Sequence, residues 1–305
     1  MKKFILIFST IIIIGLIFGI SYYEMQGLNS FPRLNHSNIT TNPSTREQPQ
    51  VAPLHPVNND SISYSLQNDE LNITFNKGQD WVKVPVEKDL LFDGEYRGNK
   101  QTLIDDSYIL TEDRAAFLYR QGAVVLKNSL DQGKTWKDVI ITESFPVLRF
   151  RKVDFLNEQF GYVIISGDRT MSQEYSAAFL THDGGETWEQ TADLPTTRLI
   201  SDGGFVDERT GFLSYGTINP EEPDLYVTQD SGNTWYKAVF HIPEQYDRIF
   251  VQTEVPVKEE DHLSVMVNQG PNGDYEGGRV KGKFISKDNG LTWDFSEEVH
   301  PNERI

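Results

Sequence analysis

The feature that most limits how this chain can fold is an eight-residue string that returns four times. It reads SLDQGKTW at 129–136, THDGGETW at 181–188, TQDSGNTW at 228–235 and SKDNGLTW at 286–293. An altered fifth copy, TFNKGQDW, precedes them at 74–81. The shared pattern is [Ser/Thr]-x-Asp-x-Gly-x-Thr-Trp without gaps, and all five tryptophans of the chain close one copy each. The third residues stand at 76, 131, 183, 230 and 288, so the repeat length is 47 to 58 residues. A period of about 50 residues suits a four-stranded propeller blade.

The pattern has a mechanical reading. The first residue ends a strand, and Asp-x-Gly builds a tight turn in which the carboxylate accepts N–H groups two or three residues on while Gly takes a positive φ. Thr opens the returning strand and bonds back to Asp; Trp then buries its ring between neighbouring sheets. On this reading Asn76, Trp81, Asp131, Gly133, Trp136, Asp183, Gly185, Trp188, Asp230, Gly232, Trp235, Asp288, Gly290 and Trp293 hold hairpins together. Five separated turns do not bring their carboxylates to one centre, so neither metal binding nor catalysis is assigned to them.

The segments ahead of the boxes supply the other strands. VDFLNEQFGYV at 153–163 and FVDERTGFL at 205–213, and more weakly Leu110 to Leu118, read as strand, polar turn, strand. A further apolar strand enters the box at 177–180, 225–227 and 283–285, and the sequence after the box forms a fourth. The predicted fold is an all-β propeller of four-stranded blades over residues 61–305, with five blades expected and six or seven as the alternatives. The first unit, Ser61 to Val86, has room for three strands, and an unmarked blade around Leu91 to Ile104 is the main route to a sixth.

These boxes closely match the Asp-box, or BNR, repeat of the sialidase-superfamily fold. In repeat style the chain looks most like the photosystem II stability/assembly factor-like propellers, a resemblance that covers about residues 61–305 and implies a non-catalytic binding or assembly role. The sialidases that share the repeat carry an arginine in a Phe/Tyr-Arg-Ile-Pro segment ahead of the first box, and no such segment occurs here. Phe31-Pro32-Arg33-Leu34 is the nearest string, in the wrong order. The enzymatic alternative is a diverged sialidase-like glycoside hydrolase in which Arg149, Arg198 and Arg248 meet at the propeller axis.

The N-terminus begins MKKFILIFSTIIIIGLIFGI, two lysines before an apolar run from Phe4 to Ile20. At about 1.5 Å per residue the run reaches roughly 25 Å, near the lower limit for a bilayer span. No Ala-x-Ala-like cleavage site follows, so residues 1–21 are read as an uncleaved signal-anchor, with secretion after cleavage as the alternative. Lys2 and Lys3 stay cytoplasmic, which places the remainder outside the cell as a single-pass membrane protein. Residues 22–60, rich in Asn, Ser, Thr and Pro, read as a flexible tether.

Composition narrows the partners. With 28 basic against 45 acidic residues the net charge is −17, and nucleic acid is not an expected partner. The absence of cysteine removes disulfides, thiol nucleophiles and Cys-ligated zinc. No Gly-x-Ser-x-Gly, His-Glu-x-x-His or phosphate-binding glycine loop is present. The chain is therefore expected to be non-enzymatic, without cofactor or metal, binding an unknown protein or glycan through its longest irregular insertions: 167–176, 219–224 and 268–278. Tyr175, Asp274, Tyr275 and Glu276 are the candidate contact residues there. Asp274 and Glu276 also suit a hard cation, though a solvated turn is the preferred reading.

Overall fold

A computed structural model of the chain describes residues 53–216 and 219–301. The expected membrane segment and residues 22–52 of the expected tether lie outside the described residues. Among the described residues no helix is long and apolar enough to cross a membrane.

The compact unit starts at Pro53. The Val57 N–H donates to the Tyr64 carbonyl (2.8 Å) and that of His55 to Gln67 Oε1 (3.2 Å), so the last residues assigned to the tether pack on the first sheet.

The unit is an all-β chain of five sheets, antiparallel meanders apart from one parallel strand added to the last. Blade 1 holds β1 (Ser63–Ser65), β2 (Glu70–Thr74) and β3 (Val82–Glu87). Blade 2 holds β4 (Tyr108–Leu110), β5 (Ala115–Gln121), β6 (Ala123–Ser129) and β7 (Lys137–Thr142). Blade 3 holds β8 (Leu148–Phe155), β9 (Gly161–Gly167), β10 (Tyr175–Thr181) and β11 (Glu189–Gln190), and blade 4 holds β12 (Leu199–Phe205), β13 (Gly211–Gly216), β14 (Asp224–Thr228) and β15 (Tyr236–Lys237). The last sheet, blade 5, holds β16 (Val239–His241), β17 (Gln252–Thr253), β18 (Val257–Lys258), β19 (Leu263–Asn268), β20 (Lys281–Ser286) and β21 (Thr292–Val299), in the order β16-β21-β20-β19-β17 with β18 on β19.

Apolar clusters lie between successive sheets. Ile73 and Val84 of blade 1 pack with Phe117 of blade 2, Leu126 with Val163 of blade 3, Ile164 with Leu213 of blade 4, and Val227 with Phe284 of blade 5. Sheets that stack face to face in sequence order, each a meander, are the blades of a β-propeller. As the repeat implied, the box in every blade joins the last two strands, and blade 1 has only three.

No sheet forms at 91–104. Lys88–Phe92 is a 3₁₀ turn, and the chain after it runs against inner strands of blades 2 and 3. The Glu95 N–H donates to Leu148 (2.8 Å), Arg120 pairs with Asp93 (3.0 Å), and the buried Arg151 guanidinium donates to the Leu91 and Asp93 carbonyls. The apolar character that suggested an unmarked sixth blade serves instead to bury Leu91 and Phe92 against blades 1 and 2.

The boxes differ from expectation in two ways. Asp131 accepts the N–H of Thr135, four residues on (2.9 Å), as well as the Thr135 hydroxyl (2.7 Å). The opening Ser129 hydroxyl, unassigned in the sequence reading, donates to Asp131 (2.8 Å) and accepts the Gly133 N–H (2.9 Å). The same bonds recur around Asp183, Asp230 and Asp288. Second, only Trp293 is fully buried, whereas Trp81, Trp136, Trp188 and Trp235 are partly exposed. Each of Trp136, Trp188 and Trp235 has a phenylalanine against it (Phe117, Phe155 and Phe205), but Trp293 is also covered by Phe240, stacked at 5.9 Å.

Candidate functional site

Strand alternation sorts the loops into two sets. The first two strands of a blade meet on the same face as the box, and Ser231 N–H bonds the Arg209 carbonyl (3.0 Å) to show it. The loops between second and third strands, and the connections from one blade to the next, lie on the opposite face. Segments 168–174, 219–223 and 269–280 are such loops of blades 3, 4 and 5, so all three insertions flagged by the sequence share one face. Blade 2 turns there within Gln121–Ala123.

The loops are tied to each other and to the blade connections. Gln173 bridges Arg198, and the Glu174 N–H donates to Thr197 (2.8 Å). Arg198 Nη1 holds Asp224 Oδ2 at 2.7 Å, and Asn272 Nδ2 donates to Asn219 Oδ1 at 2.8 Å. Arg248 stands near Glu221 (3.6 Å) in a left-handed backbone conformation, φ +59°, which a non-glycine residue adopts only at some cost.

Between these segments opens a cleft of about 430 Å³ whose lining includes Arg198, Tyr215, Glu221, Glu222, Asp224 and Arg248. A smaller one of about 200 Å³ adjoins it, sharing Asn219, Pro220 and Arg248 and reaching Asp274 and Tyr275. At the floor of the larger cleft Tyr215 and Asp224 are directly opposite across β13 and β14. Both are buried; the Tyr215 hydroxyl lies beside the Ser176 hydroxyl, and Asp224 Oδ1 is 3.7 Å from Lys237 Nζ, but none of the three oxygens completes a hydrogen bond of good geometry. Burial raises the Tyr215 pKa above the usual phenol range; the Ser176 hydroxyl opposes the shift, and Tyr226, Asp224 and Glu174 add to it. The hydrogen bond and charge of Asp224 raise that of Arg198.

The three arginines that a sialic-acid clamp would need are engaged elsewhere. Arg149 is bonded to Glu174 (2.5 and 2.6 Å) and to the Ile200 carbonyl (2.5 Å). Arg198 is bonded to Asp224, and Arg248 lies beside Glu221 and Asp247. Of these, Arg198 and Arg248 line the cleft and Arg149 does not.

The candidate contact residues divide similarly. Asp274 and Tyr275 reach the smaller cleft, but the Tyr275 ring packs against Tyr246 and Phe250 and its hydroxyl donates to Glu298 (2.8 Å), a bond that raises its pKa to about 12. Tyr175 lies outside both clefts, its ring 5.4 Å from Phe145, and Glu276 lies outside them with its carboxylate 3.9 Å from His300. The sequence reading missed Tyr215. Its place in the alternating run GFLSYG marks it as core, and nothing local shows that its hydroxyl lacks a partner.

No family model matches the chain, and no curated protein matches it. Among solved structures it aligns with the YCF48 protein of Cyanidioschyzon merolae at 14% identity and a TM-score of 0.44, covering 75% of this chain and 64% of that one. It also aligns with an ulvan-degrading polysaccharide lyase at 11% identity and TM-score 0.43, over 82% of this chain and 73% of the lyase. An endo-arabinase from Bacteroides thetaiotaomicron aligns at 13% and 0.38, over 62% and 77%.

Proposed function

We propose that this chain is a membrane-anchored, extracytoplasmic Asp-box propeller that binds a protein or glycan through its loop face without catalysing a reaction. The observation that carries the reading is the joining of three insertions from successive blades on the face opposite the boxes: 219–224 lines an open polar cleft, 268–278 reaches it through Asn272 and Asn219, and 167–176 is held through the Gln173–Arg198 bridge. Box turns are short and internally bonded, so they give a regular rim. The loop face holds the irregular backbone, where binding residues concentrate in rigid scaffolds, with two adjoining clefts; the box face carries a wider, shallower hollow of about 870 Å³ between the boxes of blades 2 and 3. The apolar run after Lys2 and Lys3 supplies the anchor, and the net charge of −17 suits a protein held in solution away from anionic headgroups.

The test is cross-linking and recovery from the native membrane surface with two variants. E221A/E222A/N272A alters the loop face, and L130S/L156S removes two exposed leucines on the box face. The loop-face variant is expected to lose the partner and the box-face variant to keep it; equal recovery with both would sink the reading.

A second reading rests on the four carboxylates around the cleft, Glu221, Glu222, Asp224 and Asp247. Two of them acting as acid and base would make a glycoside hydrolase. Release of chromophore from aryl glycosides by the full chain, abolished by E222Q, would favour it over the binding module.

A further inference from the structure

The floor of the larger cleft carries an unfilled demand. Tyr215 is 1% exposed and Asp224 6% exposed, yet neither the Tyr215 hydroxyl, whose neighbour is the likewise unsatisfied Ser176 hydroxyl, nor Asp224 Oδ1, 3.7 Å from Lys237, completes a hydrogen bond. Opposed residues of an antiparallel pair project from the same face with their Cβ atoms about 5 Å apart. One atom is a donor that also accepts, the other only an acceptor when ionised. Leaving both unpaired in a buried place is costly.

The chemistry of the surroundings selects what completes them. A carboxylate would face Asp224, Glu221, Glu222 and Asp247, four acids against the three cations Arg198, Arg248 and Lys237 that already pair with them. An ammonium would crowd Arg198 and Lys237, which already lie 2.7 and 3.7 Å from the Asp224 oxygens. A hydroxyl donates to Asp224 and accepts from Tyr215 without bringing charge. Around it the rim offers donors from the arginines and Asn219 and acceptors from the glutamates, the mixed set that neighbouring hydroxyls of a sugar ring require.

We propose that the cleft binds a neutral glycan, with one sugar hydroxyl seated between the Tyr215 hydroxyl and Asp224 Oδ1, and that it discriminates against acidic sugars. This rests on the loop-face binding reading and names its ligand class. Both floor atoms are closed to solvent in the unliganded chain, so the half-exposed Arg198 side chain swings aside as the hydroxyl enters.

The experiment is binding of the full-length chain to immobilised neutral oligosaccharides of glucose, galactose, mannose and N-acetylglucosamine, beside their uronic-acid and sialylated counterparts. At least one neutral probe is expected to be retained, and its carboxylated counterpart bound about tenfold more weakly or not at all. Y215F keeps the packed ring and should weaken retention about fivefold, and D224N about tenfold, with the Y215F melting temperature unchanged. E221Q/D247N should narrow the gap between neutral and acidic probes. Retention of no neutral probe, preference for the acidic ones, or undiminished binding by Y215F (water alone filling the floor) would each overturn the proposal. If no glycan binds while the loop-face variant still loses a cross-linked protein, the glycan inference fails and the general binding reading stands.

Discussion

At the residue scale the altered first box is informative. In the other boxes Asp accepts from Thr, but in blade 1 Asn76 Nδ2 donates to Asp80 Oδ2 (2.8 Å), so donor and acceptor have exchanged places. The backbone bond survives, since the Asp80 N–H reaches Asn76 Oδ1 at 2.9 Å. N76D would set two carboxylates against each other and is expected to destabilise the chain by about 1 kcal/mol. N76D/D80T, which restores the usual pairing, should recover that loss in a denaturant melt. A pH dependence follows from Asp131, whose pKa falls to about 2 through hydrogen bonds from the Thr135 N–H, then the Thr135 hydroxyl. A carboxyl depressed in the folded state stabilises above its unfolded value of about 4 and loses that contribution as pH falls towards about 2. The melting difference between the wild type and D131A should therefore be constant from neutral pH down to about 5 and shrink between about 4 and 2. A difference that grows on acidification would contradict this.

At the element scale β16 departs from the meander. The Ala238 N–H donates to Leu225 of blade 4 (2.8 Å), and the next N–H, of Val239, donates to Leu291 of blade 5 (2.9 Å). β16 then runs parallel to β21, Val239 opposite Thr292 and Phe240 opposite Trp293. Phe240 stacks on Trp293 and meets Phe284 edge-on at 5.3 Å, which explains why this tryptophan alone of the five is fully buried. F240A removes the cover at an expected cost of about 3 kcal/mol, a fall in melting temperature of about 6–12 °C for a unit of this size. Trp293 fluorescence should shift towards the exposed range. The strands flanking the boxes were legible in the sequence because alternation and a fixed turn repeat within each blade. β16 was not, because its partner lies some fifty residues on and the run AVFH reads equally well as the end of β15. The short turn at 88–92 escaped for a related reason: Leu90, Leu91 and Phe92 are apolar enough for a strand, and only the neighbouring blades show that they fill an interface.

At the scale of the whole molecule the blade order and the shared face of the insertions were readable from the repeat, because strand parity alone sends each loop up or down. The cleft was not, since it depends on Arg198, Asp224 and Arg248 arriving from three different segments. The proposed anchor makes its own prediction. Intact cells treated with external protease should lose the folded unit, and the chain should sediment with membranes until residues 1–21 are deleted. Recovery in the soluble fraction with the segment present would point to cleavage and secretion.

The separation of box turns from insertions means that one rim fixes register while the other is left free to vary. Each hairpin lock is complete within about eight residues and needs nothing from the far end of its blade, so loop length there can change without shifting strand pairing. A blade of this kind behaves as an interchangeable cassette: its chassis is copied from repeat to repeat, and novelty is confined to one end of it.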